Sequence, residues 1–139
     1  LKNKKEILGD ELIFRSKQLN IPLTNPGFKQ LSVMGVIKRE FTDSVLTEIA
    51  WFSIGDAIFA THPGETVPAM SLATKILMQT NGPKFILGLS MDALGYILKP
   101  EFFDREKKIP HSEYLCSMSV GIETMAFIMK ALGSLSKNE

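Results

Sequence analysis

Few side chains in this 139-residue sequence suggest chemistry, and the most suggestive surround Glu65. The stretch "ATHPGETVPAMSLATKILM" runs from Ala60 to Met78: an apolar run stops at Pro63-Gly64, Glu65 follows, and a helical pattern begins. A carboxylate at the handover from strand to helix lies where sheet proteins place ligands. The positive end of the helix dipole there favours the ionised form that a metal requires. The same position also suits a glutamate that only stabilises the first helical turn. His62 is close enough in sequence to face the same site, or to be a histidine satisfied within a turn. His111 lacks a partner at a metal-ligand spacing such as H-E-x-x-H.

Ser90 lies in "GLSMDALGY", Gly88 to Tyr96, after a short apolar run. The nucleophile elbow G-x-S-x-G needs its second glycine for the tight turn. Asp92 stands in that place and no clear helix follows, so Ser90 reads as a loop serine. Tyr96 follows Gly95 in the same loop. A phenol can coordinate a metal or donate to a developing oxyanion, or simply pack with its hydroxyl bonded locally. Cys116, the one cysteine, reads as a small buried residue rather than a nucleophile.

The elements that must position these groups follow from patterning. Apolar residues between Lys2 and Leu19 fit a helix loosely. "NIPLTNPGF", Asn20 to Phe28, carries two prolines and a glycine and reads as a loop. "KQLSVMGVIKREF" reads as a strand carried by Leu31, Val33, Val36 and Ile37. "SVLTEIAWFSI" reads as a second strand, rich in β-branched and aromatic residues. Gly55-Asp56 suits a type II′ turn, which makes Val45–Ile54 and Ala57–Thr61 antiparallel neighbours.

Beyond Pro63-Gly64, Val67, Met70, Leu72, Ala73, Ile76 and Leu77 predict a helix with a broad apolar face. Pro68 is tolerated in its first turn, and "TNGP" ends it. "KFILGL" reads as a short buried strand, so the order strand–helix–strand predicts a crossover. "SMDALGYILKPEFF" reads as a mixed loop, and "VGIETMAFIMKALGSL" as a C-terminal helix with Ile122, Met125, Ala126, Met129 and Leu132 on one face. The expected fold is α/β: a mixed sheet with a β-hairpin, a strand–helix–strand crossover and a C-terminal helix, within one domain over 1–139 or as part of a larger one.

Composition narrows the function classes. With 45% apolar and 22% charged residues the chain has the balance of a globular protein. Sixteen basic and fifteen acidic residues leave a formal charge of +1, which gives no electrostatic case for nucleic acid or an anionic membrane surface. A single cysteine excludes an internal disulfide and a multi-cysteine zinc site, and is compatible with a reducing compartment. No apolar run approaches the roughly 20 residues of a membrane span, and "LKNKKEILGDELIF" lacks the apolar stretch of a signal peptide, which favours the cytoplasm. The first residue is Leu1, the expectation for a chain that lost a leader or begins partway through a longer polypeptide.

Three stretches in order, "HPGE" before a helix, "GLSMDALGYILKPEFF" and "YLCSMSVGIET", resemble the C-terminal part of the catalytic domain of the neutral/alkaline non-lysosomal ceramidases and their prokaryotic relatives. The resemblance covers roughly Val45 to Ala131. It implies that Glu65 corresponds to a carboxylate zinc ligand and Tyr96 to a tyrosine ligand beside the reacting carbonyl. It implies zinc as cofactor and hydrolysis of an amide in a small molecule or lipid. The family's other zinc ligands are histidines upstream of the PGE motif, at positions that neither His62 nor His111 occupies. Tyr114-Leu115 stands where the family has Tyr-Glu.

Two readings of different class result. In the first, the chain is the C-terminal portion of a ceramidase-like zinc amidohydrolase, inactive alone, whose missing ligands come from an upstream half of the same polypeptide. In the second it is a non-catalytic α/β module that self-associates as a homo-oligomer or packs on a partner. A serine hydrolase using Ser90 is a distant third.

Overall fold

The computed structural model describes residues 7–39 and 41–137. Four strands form a mixed sheet in the order β1-β2-β3-β5: β1 (Leu12–Pro22), β2 (Ser44–Ile54), β3 (Ala57–His62) and β5 (Lys84–Gly88). β1 pairs antiparallel with β2 from Leu12↔Ile54 to Pro22↔Ser44, and β2 turns at Gly55-Asp56 into antiparallel β3. Gly55 has φ +55 while Asp56 stays outside the left-handed region, as the hairpin reading requires. β3 and β5 are parallel, joined through helix α2 (Pro68–Leu77), so the predicted crossover is present. A second, two-stranded sheet pairs β4 (Glu65–Thr66) with β6 (Tyr96–Ile97) in parallel.

Alternation sorts the sheet into two faces. Leu19 and Ile21 of β1, Val45, Ile49 and Trp51 of β2, and Ile58 and Ala60 of β3 pack into one cluster with Met70 of α2 and Ile128, Leu132 and Leu135 of α4 (Thr124–Leu135). Trp51 is 1% exposed. Burying a side chain of this class contributes on the order of 2 kcal/mol. The opposite face of the sheet carries Phe14, Phe52, Phe59 and Phe85.

Several sequence expectations need correction. The helix expected up to Leu19 is strand β1 over Leu12–Pro22, and the part over residues 1–6 lies outside the described residues. An eleven-residue ladder to β2 outweighs a weak helical pattern, and Leu19 and Ile21 are buried by it. The segment "KQLSVMGVIKREF", expected as a strand, instead opens in the second half of helix α1 (Pro26–Val33) and continues in turns and bends, with residue 40 outside the described set. Its signal was in the segment read as loop: the Asn25 side chain accepts from Gly27 N–H at 2.9 Å, and Pro26 occupies the first helical turn.

Two faces are narrower than expected. In α2, Met70 and Thr74 are buried while Leu72 and Ile76 face solvent. The C-terminal helix starts at Thr124, leaving Ile122 before it and exposed, and it buries Thr124, Ile128, Ala131, Leu132 and Leu135. Strand β5 forms where "KFILGL" predicts, but as a sheet edge with Phe85 42% exposed. The loop "SMDALGYILKPEFF" contains β6 and a 3-10 turn over Pro100–Phe103, and α3 (Ser112–Ser117) follows further on. Among the described residues, no helix is long and apolar enough to cross a membrane.

Candidate functional site

The chain leaves the end of β3 through Pro63-Gly64 and enters β4 at Glu65; β6 brings Tyr96 directly opposite. Two close contacts fix this pairing. Glu65 N–H donates to the Gly95 carbonyl at 2.9 Å, and Tyr96 N–H donates to the Met118 carbonyl at 2.9 Å. A methyl group on Gly64 would strike the Gly95 oxygen, and one on Gly95 would strike the Met118 oxygen. Gly95 also has φ +78, where a side chain is strained. So a glycine stands before each of the two candidate residues because a carbonyl occupies the space of its Cβ.

The preceding loop is pinned to the same strand end. Leu89 N–H donates to Gly64 O, Ser90 N–H to His62 O and Leu94 N–H to Pro63 O. Leu89 and Met91 adopt positive φ of 50 and 72, a conformation that costs a non-glycine residue energy and is held by its surroundings. A second tie comes from Asp92. Its carboxylate accepts both oxygens' worth of bonds from Arg39 at 2.8 and 2.9 Å, and one from the Thr47 hydroxyl at 2.7 Å. Arg39 also donates to the Leu46 carbonyl.

Electrostatically, Glu65 and Tyr96 are coupled. Hydrogen bonding to the Glu65 carboxylate, and then its negative charge, hold the Tyr96 phenol above its ordinary range. Partial burial and Tyr114 add in the same direction. The Tyr114 ring meets Tyr96 edge-on, with centroids 6.1 Å apart. Glu65 and Tyr96 open on a cavity of about 600 Å³ whose walls include Val67, Pro68, Ile86, Leu89, Leu98 and Leu115. A carboxylate and a phenol therefore stand together in an otherwise mainly apolar pocket.

The other sequence candidates lie elsewhere or are committed. His62 is fully buried, with Nε2 3.0 Å from Thr74 Oγ1 and Nδ1 3.1 Å from Thr66 Oγ1. Thr74 Oγ1 donates to Met70 O at 3.0 Å, so it accepts from His62 Nε2–H, and the bare Nδ1 then accepts from Thr66. Burial pushes the His62 pKa down to about 4, so the ring is neutral. It is a satisfied core histidine beneath the site. No helix follows Ser90, which removes the strand-to-helix turn that a nucleophile elbow needs.

His111, in the left-handed region at φ 62, lines a separate cavity with Arg105 and Lys108. The Cys116 thiol is half-buried, donates to the Phe102 carbonyl at 3.3 Å, and is pushed upward in pKa by burial. It lines another cavity of about 490 Å³ with Asn25, Phe102 and Arg105. Tyr114 is the neighbour that sequence reasoning did not place at the site; "YLCSMSVG" marked its segment without showing that α3 folds back onto β6.

Zinc accepts carboxylate and phenolate oxygens, and Glu65 and Tyr96 supply one of each. Structural and catalytic zinc sites take three or four protein donors. Among the described residues no group of three or more histidine, cysteine, aspartate or glutamate side chains could hold a metal. The pair supplies at most two of those donors, and the rest would have to come from outside it.

No family model matches the sequence, and no curated protein sequence matches it. Among solved structures, the fold is similar to that of a neutral ceramidase from Pseudomonas aeruginosa, with a TM-score of 0.55 at 13% sequence identity. The likeness covers 89% of this chain and 28% of that one. The chain thus corresponds to less than a third of the ceramidase's length, and what the two share at this identity is the fold.

Proposed function

We propose that this chain is the C-terminal portion of a ceramidase-like, zinc-dependent amidohydrolase. The observation that carries the reading is the pairing of Glu65 with Tyr96 across β4 and β6, facing the cavity of about 600 Å³. The similarity of fold to part of a neutral ceramidase supports it.

In this reading Glu65 and Tyr96 are two zinc donors, and the remaining donors come from polypeptide outside the chain. Bound there, zinc would polarise an amide carbonyl and lower the pKa of a water. The work of the chain's own residues is positional. Tyr96, which would give up its phenol proton on ligation, would hold the ion at the cavity beside the carbonyl under attack. Leu89, Leu98 and Leu115 exclude water and accept the apolar part of an amide-containing small molecule or lipid. With two donors the isolated chain holds zinc weakly and is inactive.

The test is zinc content and hydrolysis of an N-acyl amide by the full-length polypeptide, which carries the upstream donors as well as Glu65 and Tyr96. Glu65→Ala is expected to lower zinc content at least tenfold, about 1.4 kcal/mol, and to abolish hydrolysis. A folded Glu65→Ala protein that keeps both sinks the assignment.

A further inference from the structure

The face of the four-stranded sheet turned away from α2 and α4 carries a continuous row of aromatic rings. Phe14, Phe52, Phe59 and Phe85 are register partners on four successive strands. Their centroids are 6.0, 4.7 and 4.7 Å apart, and the Phe52–Phe59 and Phe59–Phe85 stacks are nearly parallel at 2° and 14°. The row stays open to solvent: Phe14 is 58% exposed, and Leu12 and Ile54 beside it are also exposed. One such residue would need no explanation, whereas a contiguous apolar face of this kind marks an interaction surface.

We propose that this face is the contact surface between two copies of the chain, packed sheet against sheet. Charge selects the occupant. On this side of β1, β2, β3 and β5 the one ionisable residue is Glu48; Arg15 and Lys17 alternate to the other side. A lipid-binding face needs a basic border to meet anionic headgroups, and this one has none among its strand residues. A face that is its own partner must avoid repeating like charges across the two-fold axis, and a row of neutral rings does so.

Size agrees. Four strands about 4.8 Å apart and about 20 to 35 Å long present roughly 500 Å² in projection. The corrugated accessible area is larger, of the order of the ~800 Å² that each partner commits to a standard interface. Aligned sheets pack about 10 Å apart with their strands rotated by roughly 30°, so the two phenylalanine rows cross at the centre. The inference uses neither Glu65 nor Tyr96.

Sedimentation equilibrium of the 139-residue chain, and of the longer polypeptide proposed above, tests it. The expected result is a dimer at micromolar concentration. The double variant Phe14→Glu/Phe85→Glu is expected to weaken it roughly hundredfold, while Val33→Glu on the exposed side of α1 leaves it unchanged. Circular dichroism checks folding; if the double variant does not fold, Phe14→Ser alone on the edge strand is expected to weaken the dimer at least tenfold. A monomer throughout overturns the proposal, including one that binds phosphatidylcholine vesicles through the same rings. So does a dimer that both charge-bearing and serine variants leave intact, since that dimer would not use the row of rings.

Discussion

Glu65 and Tyr96 are direct register partners in a two-stranded parallel sheet, and each is preceded by a glycine whose missing Cβ makes room for a carbonyl. The pairing thus depends on backbone approach before any side-chain contact is made.

Gly64→Ala and Gly95→Ala should therefore each cost about 2 kcal/mol or more, through steric displacement of β4 from β6 or of β6 from Met118. Gly95→Ala adds the strain of a positive φ. Gly133→Ala is the control: it sits within α4 with nothing near the added methyl, so it should stabilise by about 0.5 to 1 kcal/mol. Urea denaturation of the three variants reads both signs. Equal effects at all three positions would contradict the account.

His62 predicts a pH dependence. Its folded pKa is about 4 against 6.5, so between these values the unfolded chain binds the extra proton. Stability contributed by the neutral ring is complete above the unfolded value and is lost as pH falls towards 4, by about 3 kcal/mol in all. In His62→Gln the slope between pH 6.5 and 5 should flatten, although the variant is less stable overall. An unchanged slope in a folded His62→Gln protein would show that the ring is not the titrating group.

The phenol of Tyr96 should respond to Glu65. Tyr96 and Tyr114 are the only tyrosines, so an ultraviolet titration resolves both. Glu65→Gln removes the main cause that holds Tyr96 high, and the Tyr96 transition should move to lower pH. No movement would mean the carboxylate and phenol do not interact in solution.

Asp92 and Arg39 should act together. Their ion pair is partly solvated and adds little by itself. Asp92→Ala also strips the buried Thr47 hydroxyl of its acceptor, which should cost about 2 kcal/mol. Arg39→Ala should cost less, and the double variant less than the sum of the two. Strict additivity would show that the cluster does not work as one tie.

What the sequence revealed follows the strength of local signals. The hairpin was legible because "SVLTEIAWFSI" and "AIFAT" flank Gly55-Asp56 and leave few alternatives. Helix α2 was legible from Pro68 and the spacing after it. Strand β1 was hidden because its outer face alternates Phe14 with Ser16, Gln18 and Asn20, and its ladder to β2 is a non-local fact. In α1, Asn25-Pro26-Gly27 serves a turn and a helix start equally well until the Asn25 side chain is seen to cap. Glu65 and Tyr96 were both picked from their local positions and from a resemblance. That they are register partners, with Tyr114 against them, depends on a long loop folding back, which no periodicity encodes.

The central claim is that Glu65 and Tyr96 hold one zinc ion between them, and a zinc titration followed by ultraviolet difference spectroscopy addresses it most directly. A ligating phenol must lose its proton, so a tyrosinate band should grow with added zinc at neutral pH. The band should vanish in Tyr96→Phe, persist in Tyr114→Phe, and require at least roughly tenfold more zinc in Glu65→Gln. Zinc that produces no tyrosinate band, or a band that survives Tyr96→Phe, would contradict the account.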